Sequence, residues 1–139
     1  MSDAKRLERL YKGKSGTTWR AAMQLSADNP NSAANRAYYC LYQALVGELE
    51  CRGVRPELID AGSAQASQGD MRLKWTHSFI KNNAKTAGLD GRQCQVIRDA
   101  YELRSIGDYR TENVDGALLL SMFSKVKDIL ECLGVDIGV

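Results

Sequence analysis

Ser32-Ala-Ala-Asn-Arg-Ala-Tyr-Tyr-Cys-Leu-Tyr-Gln-Ala-Leu45 decides the fold. Ala34, Ala37, Tyr38, Leu41 and Leu45, with Leu49 beyond them, recur at three- and four-residue intervals, the period of a helix face. Tyr39, Tyr42 and Val46 widen that face. The spacing predicts a helix from Asn31 or Ser32 to about Gly53. So apolar a helix is central and needs several neighbours to cover it, a second subunit being one candidate. Arg36, Gln43 and Glu50 form its polar line. Arg36 is expected to make an ion pair within the bundle or between subunits, with phosphate binding as the alternative.

Working outward, Asp3 is expected to cap a short helix carrying Leu7, Leu10 and Tyr11. Gly13-Lys14-Ser15-Gly16 is expected to interrupt it, and Thr17 or Thr18 to restart a helix bearing Trp19, Ala22 and Met23. Asp28-Asn29-Pro30-Asn31 is a turn cluster. On the other side, the stretch from Arg55 to Gly69 ends in small and polar residues that have too little apolar bulk to pack, and predicts a mobile surface loop. Asp70 is expected to cap a helix that turns Trp75, Phe79 and Ile80 inward and ends at Gly88.

Asp90-Gly91-Arg92-Gln93 has the spacing of a capping box. The helix it opens carries Cys94, Ile97, Tyr101 and Arg104 on one face. Thr111 or Asn113 is expected to cap the last helix, whose stripe is Leu119, Met122, Phe123, Val126, Ile129 and Leu133, with Gly134 as its stop. No convincing strand is read, and an extended Val135–Val139 would have nothing to pair with. The prediction is all-α: a four-helix up-and-down bundle with a short extra N-terminal helix, one domain over 1–139 with its core in 17–134 and a mobile loop at 55–69.

Composition agrees with one small domain. The chain has 139 residues, 44% hydrophobic and 26% charged, with only two prolines to interrupt helices. A net charge of +2 excludes the strong overall field of a dedicated nucleic-acid binder but leaves room for a local basic face. Cys40, Cys51, Cys94 and Cys132 form no C-x-x-C pair, so zinc and redox motifs are not expected, and free thiols of a reducing cytoplasm are. The N-terminal residues lack the apolar run of a signal peptide, and no membrane span is read. Neither a cofactor nor a metal site is expected.

Three stretches together resemble the HEPN superfamily, in particular its small stand-alone prokaryotic members. They are Asn35-Arg36-Ala37-Tyr38-Tyr39 in the long helix, Thr76-His77-Ser78 after the variable loop, and Arg104-Ser-Ile-Gly-Asp108-Tyr109 before the terminal helix. The resemblance spans about residues 17–134. It implies a helical bundle, usually homodimeric, in which ribonuclease members use an R-x(4-6)-H motif at the dimer interface. There the arginine holds phosphate and the histidine acts on the 2′-hydroxyl proton. Many members are toxins paired with a small nucleotidyltransferase-fold antitoxin. Others have lost catalysis and bind RNA or nucleotides, or act as scaffolds.

Arg104 matches the motif arginine, but the histidine is missing: Tyr109, Arg110 and Thr111 occupy its three allowed positions. None has a side chain that titrates near neutrality. Arg104 therefore has two readings, a phosphate ligand and an ion pair with Asp108 one turn on. Tyr109 is a candidate hydrogen-bond donor or a packed helix-end tyrosine. His77, the single histidine, is a candidate replacement from another helix. Lys74, His77, Lys81 and Lys85 recur at helical spacing as a basic strip, suited to a phosphate backbone or simply solvated. Gly13-Lys14-Ser15 is not a P-loop, because Glu8 stands where the first glycine is required and no strand precedes it.

The functional expectation is an RNA- or nucleotide-associated protein, as the HEPN half of a toxin–antitoxin or nucleotidyltransferase pair. The alternatives are a metal-independent endoribonuclease using Arg104 with His77 or Tyr109, and a non-catalytic dimerising scaffold. A homodimer is expected through the long helix and the helix bearing Arg104.

Overall fold

A computed structural model describes residues 2–54, 57–60, 71–109 and 113–138, of which 57–60, 71–74 and 107–109 are described by backbone alone. The chain is all-α apart from one short hairpin. The helices are α1 (Asp3–Leu25), α2 (Pro30–Cys51), α3 (His77–Asn82), α4 (Gly91–Tyr109) and α5 (Gly116–Cys132). Strands β1 (Glu57–Asp60) and β2 (Met71–Lys74) pair antiparallel, Glu57 opposite Lys74 and Asp60 opposite Met71. The strand pair corrects the expectation of no strand, and α3 begins at His77, capped by Thr76, where a start at Asp70 was expected. Residues 55, 56 and 61–70, where most of the mobile loop was expected, lie outside the described residues.

The N-terminal expectation is also corrected. Gly13-Lys14-Ser15-Gly16 does not interrupt a helix; α1 runs straight through it for 23 residues. The short helix of the fold is α3, in the middle of the chain. Small residues here serve packing. Ser15 is fully buried and its hydroxyl donates to the Cys40 carbonyl of α2 at 2.6 Å. A Cβ at Gly16 would lie 2.3 Å from the carbonyl oxygen of Asp136, so the C-terminal tail can lie against α1 only where the side chain is absent. A Cβ at Gly47 of α2 would lie 3.1 Å from the Glu8 carbonyl oxygen of α1, a second close approach.

The core lies around α2, whose buried residues include Ala34, Ala37, Tyr38, Leu41, Leu45 and Leu49, as its spacing predicts. α2 touches α1, α3, α4 and α5. It starts at Pro30 with Asn29 as its cap, one or two residues earlier than expected, because proline fits the first helical position, where an N–H has no partner. The capping box forms: the Asp90 carboxylate accepts from Gln93 N–H at 2.8 Å, and the Gln93 amide oxygen accepts from Asp90 N–H at 3.0 Å. Asp115, not Thr111 or Asn113, caps α5, accepting from the N–H groups of Ala117 and Leu118.

The stripe from Leu119 to Leu133 is buried, and Trp19 of α1 meets Phe123 of α5 edge-on with ring centres 5.6 Å apart. Gly134, at φ +77°, ends α5 with the paired backbone bonds of a Schellman turn, Gly134 N–H to Glu131 and Val135 N–H to Leu130. Cys40 and Cys94 are buried, Cys51 is half-buried and Cys132 exposed, all as free thiols. Among the described residues, no helix is long and apolar enough to cross a membrane.

Candidate functional site

α2, α3 and α4 converge on a cluster of tyrosines. Tyr38, Tyr39 and Tyr42 project from consecutive turns of α2, and Tyr101 comes from α4. His77 is the first residue of α3, placed there by its Thr76 cap. Its imidazole lies 5.4 Å from the ring centres of Tyr38, Tyr42 and Tyr101 and 5.9 Å from that of Tyr39. The Tyr38 hydroxyl and His77 Nδ1 are 2.7 Å apart. The Tyr42 hydroxyl donates to the Trp75 carbonyl, which fastens the chain just before α3 to α2.

Arg104 enters the same cluster from α4. Its guanidinium carbon lies 5.3 Å from the ring centre of Tyr39, 5.5 Å from Tyr101 and 5.8 Å from Tyr38. Nη2 donates to the Tyr39 hydroxyl at 3.3 Å. At 7% exposure Arg104 is one of two buried polar or charged side chains among the described residues, the other being Ser15. Stacking over aromatic faces suits guanidinium, which is planar and weakly hydrated compared with an ammonium group. Lys81, one turn beyond His77, sets its ammonium 4.2 Å from the Tyr101 ring centre. Burial, reinforced by the neighbouring phenols of Tyr101 and Tyr42 and partly opposed by Arg104, holds the Tyr38 hydroxyl far above its ordinary value. Burial also raises Tyr42. Both phenols therefore keep their protons at neutral pH.

Arg104 and His77 are thus brought together by three shared rings, Tyr38, Tyr39 and Tyr101, and Lys81 joins them at Tyr101. Other expected site residues fall elsewhere. Lys74 belongs to β2, so the helical strip of Lys74, His77, Lys81 and Lys85 is corrected to two residues of α3, with Lys85 exposed in the turn after it. The side chains of Lys74, Asp108 and Tyr109 lie outside the described residues, as do Arg110 and Thr111. The expected Arg104–Asp108 pair and a role for Tyr109 lie outside them too. Arg36 is half-buried on α2, and no ion pair to it forms within the chain among the described residues, which leaves the inter-subunit pair of the expectation. No group of three or more metal-ligating side chains occurs among the described residues.

No family model, curated protein or solved structure matches the chain. The site rests on its own geometry.

Sequence reasoning treated the tyrosines as width on an apolar face. The missed signal is composition: the chain has six tyrosines, four of which gather here among the described side chains, and a tyrosine carries a hydroxyl that a purely packing aromatic does not need. A surface concavity of about 540 Å³ shares no lining residue with the cluster. It is lined by α1 and the tail, including Lys5, Arg9, Lys12 and Asp136.

Proposed function

We propose that the chain is a HEPN-like module that binds RNA or nucleotide phosphate through Arg104 and His77, with the family's cleavage motif degenerate. The observation that supports this reading is the convergence of Arg104, His77 and Lys81 on one set of tyrosine rings. Guanidinium, imidazole and ammonium groups are donors to phosphate oxygen, and the half-buried rings of Tyr39, Tyr42 and Tyr101 suit stacking against bases. Membership of the superfamily, homodimerisation and pairing with a nucleotidyltransferase-fold protein are further parts of the proposal, carried by the resemblance of the three sequence stretches.

The test is fluorescence anisotropy with a labelled single-stranded RNA across a salt series, beside Arg104→Met and His77→Ala. The expected result is saturable binding that weakens steeply with salt and falls by roughly tenfold or more in Arg104→Met. Absence of binding at low salt would overturn the reading. His77 beside the Arg104 cluster also favours a second reading, a metal-independent endoribonuclease. EDTA-resistant cleavage lost in both variants would establish that reading in place of the first.

A further inference from the structure

We infer that Tyr38 is a positioning residue that holds neutral His77 as its Nε2–H tautomer. Tyr38 has no exposed surface. A buried hydroxyl proton needs an acceptor, because water is not there to take it. Around the phenol stand the rings of Tyr39, Tyr42 and Tyr101 and the guanidinium of Arg104, which has donors and no acceptor. His77 Nδ1, at 2.7 Å, is its hydrogen-bond partner among the described residues. The O–H therefore donates, Nδ1 accepts through its lone pair, and the ring proton of neutral His77 sits on Nε2. The opposite arrangement, with Nδ1–H donating to the phenol oxygen, would leave the phenol proton among ring faces and a cation.

This assignment changes what the imidazole can do. Its single lone pair is engaged by Tyr38, so what His77 has to offer at Nε2 is a proton to donate and not a lone pair. A general base acting through Nε2 would need the other tautomer. At the site proposed above, and resting on that reading, His77 then helps Arg104 to grip a phosphate oxygen and does not take a proton from a 2′-hydroxyl.

The experiment is two-bond ¹H–¹⁵N correlation NMR of uniformly ¹⁵N-labelled protein at neutral pH. His77 is the single histidine, so its ring signals are assigned by inspection. The expected spectrum has a protonated nitrogen at Nε2 and a lone-pair nitrogen at Nδ1, the latter displaced to high field by its hydrogen bond. In Tyr38→Phe the Nδ1 signal moves downfield toward that of an unbonded lone pair, a change that loss of packing elsewhere would not produce. A proton on Nδ1 in the wild-type protein, or an Nδ1 signal unchanged in Tyr38→Phe, overturns the inference. The wild-type spectrum decides the tautomer even if the variant does not fold. Adding an RNA oligonucleotide separates the two proposals. A shift at Nε2 supports donation to phosphate, whereas a fixed tautomer with no response to RNA leaves Tyr38 in its role and removes His77 from the phosphate site.

Discussion

The two sides of α2 hold their charged groups in different surroundings. Toward α1, opposite charges are matched. Lys12 reaches Glu8 at 2.6 Å and Glu48 at 2.8 Å, while Arg52 holds the second Glu48 oxygen at 2.7 Å. The hydrogen bond from Lys12 holds the Glu8 carboxyl down to about 2 from its ordinary 4.5. Burial alone would raise Glu48, but the hydrogen bonds from Lys12 and Arg52 outweigh it and leave its carboxyl lowered. Toward α3 and α4, Arg104, His77 and Lys81 all stand against the Tyr101 ring. The first arrangement closes a seam, and its charges are spent on one another. The second sets donors against aromatic rings, where guanidinium and ammonium groups meet π faces.

The largest effect is expected from breaking the seam. Lys12→Met leaves Glu8 and Glu48 facing each other at 18% and 15% side-chain exposure and should cost about 2 kcal/mol in urea denaturation. The same variant tests the acid limb. A carboxyl lowered in the folded state contributes stability above its unfolded value, and that contribution is lost as pH falls from about 4.5 toward 2. Wild-type stability should decline across that window, and Lys12→Met should decline less. An equally steep decline in both would show that the seam does not carry the acid sensitivity.

Gly16→Ala comes next. Its methyl carbon would meet the Asp136 carbonyl oxygen at 2.3 Å. Overpacking of about 1–3 kcal/mol outweighs a gain of about 1 kcal/mol in helix propensity, so the midpoint should fall. Arg104→Met sharpens the contrast between the two sides. It replaces a cation set against rings by an apolar chain of similar length, and should weaken RNA binding by roughly tenfold or more with a smaller loss of stability than Lys12→Met. A larger loss of stability than in Lys12→Met would make Arg104 a structural residue. The smallest effect is Gly13→Ala, which meets nothing within 4 Å and should stabilise by about 0.5–1 kcal/mol. Destabilisation there would mean that the helix does break at Gly13.

Much of the fold was legible because its signals are local. The period of α2, the Asp90–Gln93 box, the stripe of α5 and the Gly134 stop each lie within a few residues of what they determine. The misreadings have non-local causes. Gly13 and Gly16 look like a break unless one knows that Asp136, far along the chain, passes against Gly16. Four-residue strands such as Glu57–Asp60 and Met71–Lys74 are too short for alternation to separate them from helix or loop, and their stability comes from each other. At the site, Arg104 and His77 were identifiable as unusual residue types in their surroundings. Their meeting was not, because it depends on where α3 begins, and Thr76, not Asp70, sets that.

The Gly16 contact also governs what substitutions the chain can accept. In a saturation library scored for folding, position 16 should tolerate almost nothing but glycine, although it sits within a helix, where glycine is the poorest residue apart from proline. Position 13, three residues earlier on the same helix, should accept most side chains. Two glycines that look alike in Gly-Lys-Ser-Gly would then carry very different amounts of information, one nearly invariant and one nearly silent. A pattern search that weights both equally would take a packing constraint for a phosphate motif, although helix-interior N–H groups are already bonded within the helix and have none to offer.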